Sequence, residues 1–127
     1  MAAHVFTCRV YYEDTDLSGL VYHANYLKFI ERARSEWVRS LGIDQAAMRA
    51  GGRVFVVARI EADFRAPARY DDLLEVETRV DGMRPARMVL SQVVRSEGRA
   101  LFEARVTVAL IGPTGRPERL PEVLRAS

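Results

Sequence analysis

The chain is predicted to fold as an α+β domain, an antiparallel curved sheet wrapped around one long helix, and three observations carry that expectation. One stretch, Asn25 to Leu41, repeats its apolar residues at steps of three and four, the period of an amphipathic helix. Later runs alternate apolar and polar residues, the period of a half-buried strand. Between those runs stand Gly, Pro and Asp clusters of the kind that reverse a chain. One helix against a series of neighbouring strands packs best as two layers around one core. With 127 residues, no repeat, no low-complexity segment and no dividing linker, residues 1–127 read as a single domain.

Residues 4–12 open the chain as a strand, with Phe6, Cys8, Val10 and Tyr12 on one face. A polar loop follows. The helix then carries Tyr26, Ile30, Ala33, Trp37 and Leu41 on its apolar stripe, with Leu27 and Val38 beside them. Glu31, Arg32, Arg34, Ser35, Glu36 and Arg39 face mostly outward. Asn25 is placed to cap its start and Gly42 to follow its end. A short helical turn is expected from Gln45 to Ala50, before Gly51-Gly52.

Four strands are expected next. Val54, Val56, Ala58, Ile60, Ala62 and Phe64 alternate in a run closed by Pro67. Asp71-Asp72 opens a second, with Leu74, Val76, Thr78 and Val80, up to a turn at Asp81-Gly82. Met88, Leu90, Gln92 and Val94 form a third, ending at Ser96-Glu97-Gly98-Arg99. Ala100 to Leu110 form a fourth, stopped by Gly112-Pro113. Asp81-Gly82 and Glu97-Gly98 are spaced for hairpin connections.

Composition narrows the function classes. With 49% apolar and 28% charged residues, the chain reads as a soluble globular protein rather than a disordered one. No apolar run nears the roughly 18 residues of a membrane span, so no integral membrane segment is expected. The stretch Met1–Arg9 lacks the basic start and long apolar core of a secretory signal. Cys8 is the single cysteine, so no internal disulfide forms; a cytoplasmic location and a buried structural thiol are expected. The net charge is only +2, and the arginines, with Lys28 the one lysine, are scattered rather than clustered, so no nucleic-acid partner is expected.

The chemistry is expected in the loop Tyr11 to Tyr26, which holds Asp14, Asp16, Gly19 and His23 just before the helix. Free backbone N–H groups at a helix start favour developing negative charge. A carboxylate beside such donors has what acyl transfer at a carbonyl needs. Alternatives find less support. Asp14, Asp16 and His23 come with no spaced histidine pair, so no metal is expected. No glycine-rich phosphate loop appears, and Leu17-Ser18-Gly19 lacks the preceding glycine of a serine nucleophile elbow. Asp14 is expected to hold the loop through local bonds.

Asp14-Thr15-Asp16, then Gly19, then Val21-Tyr22-His23-Ala24-Asn25-Tyr26 resembles the signature of the hotdog-fold acyl-CoA thioesterases, in the 4-hydroxybenzoyl-CoA thioesterase branch. Within that branch it resembles the thioesterases associated with the Tol–Pal envelope system. The resemblance implies an acyl-CoA substrate, no cofactor, a homodimer or homotetramer, and Asp16 as the catalytic carboxylate, either general base or nucleophile. The position of His23 just before the helix suggests that its backbone N–H helps bind the thioester oxygen while its ring orients substrate or water. Gly19 is expected to shape the turn beside the substrate. Tyr22 is expected to line the acyl pocket, whereas Tyr26 belongs to the core. Arg84 and Arg87 are the first candidates to meet the nucleotide phosphates, and Arg65 and Arg69 the second. Two rivals share the fold. A non-catalytic acyl-CoA-binding or envelope-associated scaffold module is disfavoured by Asp16 in the motif, and a dehydratase by the absence of its histidine-centred motif.

Overall fold

Five strands and one long helix account for most of the chain, and the order in which the strands pair decides which loops meet. A computed structural model describes residues 3–126; Met1 and Ala2, the start of the N-terminal stretch read above, lie outside the described residues, as does Ser127. The elements are β1 (His4–Arg9), α1 (Asn25–Ser40), α2 (Gln45–Ala50), β2 (Val54–Phe64), β3 (Leu73–Met83), β4 (Arg87–Ser96), β5 (Arg99–Ile111) and α3 (Glu122–Ala126). All neighbours are antiparallel in the order β1-β3-β4-β5-β2. β1 and β2 are therefore the edges.

Helix α1 lies across the sheet because its stripe meets the inward residues of the central strands. Phe29, Ile30, Ala33 and Trp37 are buried with Leu74, Val76, Leu90, Val94 and Val106 in one apolar cluster. Phe29 belongs to that stripe in addition to the residues expected there. At its N-terminal end the ring of Tyr26 stacks on Phe102 at 5.0 Å, and Phe64 meets Phe102 edge-on at 5.0 Å. Gly42, at φ 83°, follows the helix end as expected, its N–H donating to the Arg39 carbonyl at 3.0 Å. The short helix α2 has Asp44 as its cap, Oδ1 accepting from the Ala47 N–H at 3.1 Å.

One polar group crosses the core. Gln92 is fully buried; its amide donates to the Ile30 carbonyl and to the Thr78 hydroxyl, both at 2.9 Å, and accepts from Arg34 at 3.1 Å. Arg34 thus turns partly inward, and burial pulls its guanidinium below its ordinary value.

Four expectations change. The first strand ends at Arg9, because Asp14 Oδ2 accepts from the Tyr11 N–H at 2.8 Å and curls the chain into a single 3₁₀ turn; Tyr12 is consequently exposed. Asn25 does not cap α1: it is the first helical residue, and its side-chain amide donates to the Asp14 carbonyl at 2.8 Å. Asp81-Gly82 is not the hairpin turn. The strand continues through a bulge between Val80 and Gly82, and the reversal falls at Arg84-Pro85-Ala86, where the Arg84 N–H donates to the Arg87 carbonyl at 2.8 Å. β2 is a strand as expected, but a bulge between Val57 and Arg59 splits its expected apolar face: Val54 and Val56 pair with Ile111 and Ala109, whereas Ile60, Ala62 and Phe64 pair with the buried Val106, Ala104 and Phe102 on the other face. Along this edge Val56, Val57 and Phe64 stay 37%, 46% and 58% exposed. By contrast Glu97-Gly98 makes the expected two-residue hairpin, both residues left-handed at φ 51° and 77°.

The C-terminal segment carries no expectation from the sequence reading, yet Leu120 and Leu124 are buried in the core cluster. Pro121 followed by an apolar pair at 120 and 124 was the available signal, a proline near the first turn of a short helix.

Candidate active site

The motif loop is a tight hairpin fixed to the body of the protein on both sides. Thr15 bridges Val21, the Asp16 N–H donates to the Leu20 carbonyl at 2.9 Å, and the Gly19 N–H donates to the Asp16 carbonyl at 3.0 Å. Such a reversal needs a left-handed residue, and Gly19 supplies it at φ 79°. A Cβ there would meet nothing within 4 Å, so its backbone angle and not crowding favours glycine. Inward, Asp14 is the anchor. Its carbonyl accepts from the Tyr22 N–H at 3.0 Å and from the Asn25 side chain at 2.8 Å. Outward, the Val21 N–H donates to the Ala68 carbonyl at 2.9 Å, and the Tyr26 hydroxyl accepts from the Ala68 N–H at 2.9 Å. Asp14 is thus the structural carboxylate of the pair, and Tyr26 a core residue, as expected.

Asp16 is the exposed one. Its Oδ1 accepts from the Ser18 hydroxyl and from the Ser18 N–H, the latter at 2.8 Å. These two donors, with a smaller attraction from His23, hold the carboxyl below the usual carboxylate range, so it is ionised at neutral pH. His23 follows across the hairpin, its ring 6.4 Å from Phe64 and 4.6 Å from Tyr22. Neither the His23 nor the Ala24 backbone N–H donates to another backbone carbonyl among the described residues. Both precede the first turn of α1, where the helix dipole favours an anion.

Asp16, His23, Tyr26, Phe64 and Arg65 line one open cleft of about 330 Å³. Tyr22 does not line it; nearly half exposed, it lies against the His23 ring instead. Arg84 and Arg87 do not reach it within the chain. Along β5, Phe102 pairs with Phe64 at the cleft and Ala109 pairs with Arg87, a separation of about 23 Å at the usual strand rise. The second pair of candidates is nearer. Arg65 lines the cleft, its Nε donating to Glu103 at 2.7 Å, and Arg69 bridges Leu20 of the motif hairpin. The signal that separates the two pairs is strand direction: antiparallel pairing with β5 puts the end of β2, not the start of β4, beside the motif loop.

A second groove of about 180 Å³ runs between α1 and the start of β2, walled by Trp37, Phe55, Met88 and Leu90 with Arg34 at its rim. It lies toward the other end of the sheet and holds no histidine. Among the described residues, no group of three or more His, Cys, Asp or Glu side chains is gathered as a metal site needs, and no helix is long and apolar enough to cross a membrane.

Comparison with known proteins gives a consistent pattern. The family described as "Thioesterase superfamily" matches residues 18–103. The acyl-CoA thioester hydrolase YbgC of Escherichia coli O6:H1 is 43% identical over 93% of this chain and 90% of its own. The acyl-CoA thioesterase YbgC of Haemophilus influenzae is 39% identical over 96% of this chain and 91% of its own. Among solved structures, a probable thioesterase from Bartonella henselae superposes with a TM-score of 0.90 at 42% identity, over 94% of this chain and all of that one.

Proposed function

The chain belongs to the thioesterase superfamily and is an acyl-CoA thioester hydrolase, and from that premise we propose that Asp16, His23 and the start of helix α1 form its reaction centre. The observation that carries this reading is the cleft itself, which joins an ionised, solvent-facing carboxylate to His23, whose backbone N–H meets no backbone carbonyl among the described residues and stands just before a helix start. The thioester oxygen takes the place facing the N–H groups of His23 and Ala24, where developing negative charge is favoured. Asp16 either attacks the carbonyl carbon, giving a mixed anhydride that water then cleaves to the free acid, or takes a proton from a water that attacks directly and passes it to the departing sulfur; in both routes the C–S bond breaks and coenzyme A leaves. The His23 ring orients substrate or water at the mouth, backed by Tyr22. Gly19 keeps the hairpin narrow enough for Asp16 to face the cleft.

The phosphates of coenzyme A need cations, and a guanidinium offers paired donors for them. Arg65 and Arg69 serve this role from the protomer that carries the cleft, while Arg84 and Arg87 reach a substrate only from a neighbouring chain. Thiol release from a panel of acyl-CoA substrates identifies the acyl group. Arg65→Ala with Arg69→Ala is expected to raise KM for the best of them roughly tenfold while kcat changes less, and to do nothing to a thioester lacking the nucleotide. A KM rise in Arg84→Ala with Arg87→Ala instead transfers the phosphate contact to the far turn.

The enzyme is further read as a homo-oligomer, a dimer or a tetramer. β2 exposes both its unpaired edge and its apolar side chains, a combination that a second copy relieves. Antiparallel pairing of two β2 strands sets the Phe64 end of one beside the Val56 end of the other. That brings the Asp16 cleft of one copy toward the groove between α1 and β2 of the next, a continuous path for an acyl chain. Sedimentation velocity is expected to show at least a dimer; a stable, active monomer would sink this arrangement. The lone thiol, Cys8, is half-buried and raised by that burial, which supports a structural role rather than a reactive one.

A further inference from the structure

Two donors from one neighbouring residue hold the Asp16 carboxylate, the Ser18 N–H at 2.8 Å and the Ser18 hydroxyl, and both act on Oδ1. The backbone N–H of Asp16 itself adds the smallest contribution. A residue only two positions along can do this because the hairpin reverses at once, with Gly19 at φ 79° and its N–H on the Asp16 carbonyl. Leu17 and Gly19, on either side, have no side-chain donor to offer.

We propose that Ser18 is a positioning residue of this site, clamping one oxygen of Asp16 so that the other alone faces the thioester; the proposal rests on Asp16 being the reacting carboxylate. A carboxylate on an exposed turn otherwise rotates about its side-chain bonds, and in many of those orientations neither oxygen faces the thioester. Two donors on one oxygen remove that freedom before substrate arrives. They also favour the ionised form, the Ser18 hydroxyl being the largest cause of the lowered carboxyl value and the Ser18 N–H the second. The other charged or titratable groups around Asp16 are His23 from the approach to α1, Arg65 from the end of β2 and the Tyr26 phenol from α1, all on the cleft wall, and Arg69, whose backbone bridges Leu20; burial raises the Tyr26 phenol, so it stays neutral. The Asp14 carboxylate is turned away, onto the Tyr11 N–H.

Three variants test this in steady-state kinetics across pH, using the intact protein and its best acyl-CoA substrate. Ser18 is exposed, so replacing it leaves the core untouched. Ser18→Ala keeps the backbone donor and deletes the hydroxyl, whereas Ser18→Thr keeps both. Ser18→Ala is expected to lower kcat about tenfold with KM unchanged, and to move the acid limb of the profile upward; Ser18→Thr is expected to restore both. A wild-type kcat and acid limb in Ser18→Ala overturn the proposal. So does a loss that Ser18→Thr fails to restore, which would make the residue part of the turn and nothing more. Asp16→Asn, run alongside, separates two failures. If it stays active, the reading of Asp16 is wrong; if it is dead while Ser18→Ala behaves as wild type, only the role of Ser18 falls.

Discussion

Asp16→Asn is expected to lower kcat by about a hundredfold or more, the loss typical of a positioned acid–base group, while the melting temperature stays where it was. The two halves of that expectation come from different observations. Asn keeps an oxygen in the Oδ1 position, so the donors from Ser18 still find an acceptor and the hairpin keeps its shape. What disappears is the charge and the lone pair that attacks or takes a proton. Asp16 is fully exposed in the single chain, so no buried network is broken. The pH dependence has a definite sign. Because Ser18 holds the carboxyl below the usual carboxylate range, the reactive ionised form persists into mildly acidic solution and is lost only as pH falls through that lowered value. Near-normal hydrolysis by a folded Asp16→Asn protein would remove Asp16 from the reaction.

Phe102→Ala is expected to cost about 3–5 kcal/mol of stability, the range for truncating a buried aromatic. Phe102 has no exposed surface, and it is the ring on which Tyr26 stacks and against which Phe64 rests. Its removal therefore opens a hole directly beneath the cleft, between the N-terminal turn of α1 and the end of β2. Chemical denaturation should show the unfolding free energy falling by that amount, read as a lower midpoint at unchanged slope. Phe64→Ala, at a ring already more than half exposed in the single chain, should cost less there. An unchanged midpoint in Phe102→Ala would mean that the aromatic stack does not join helix to sheet.

Much of the site was legible because it is local. The Asp-Leu-Ser-Gly reversal is determined by residues that touch one another along the chain, and so are the helix period and the Glu97-Gly98 hairpin. Apart from the local Tyr11–Asp14 bond that ends β1 early, what the sequence reading missed depends on partners farther along the chain. Asn25 was an ordinary helix cap by its position, but the Asp14 carbonyl eleven residues back claims its amide. Asp81-Gly82 and Arg84-Pro85-Ala86 both reverse chains well, and only the pairing of Met83 with Met88 settles which one does. The arginines proposed to meet the phosphates show how far sheet order decides placement. Arg65 and Arg84 look equivalent as residues at strand ends, and the sheet order alone places one beside the carboxylate and the other at the opposite end of β5.

The bare edge of β2 has a consequence in mass action. If a second copy completes that edge, part of each chain's core exists only in the assembled form, and binding that favours the folded state adds stability that grows with the logarithm of concentration. Dilution then acts as a denaturant. Melting temperature rises with protein concentration at fixed buffer, and activity per chain declines on dilution as clefts separate from the grooves they face, before any chain unfolds.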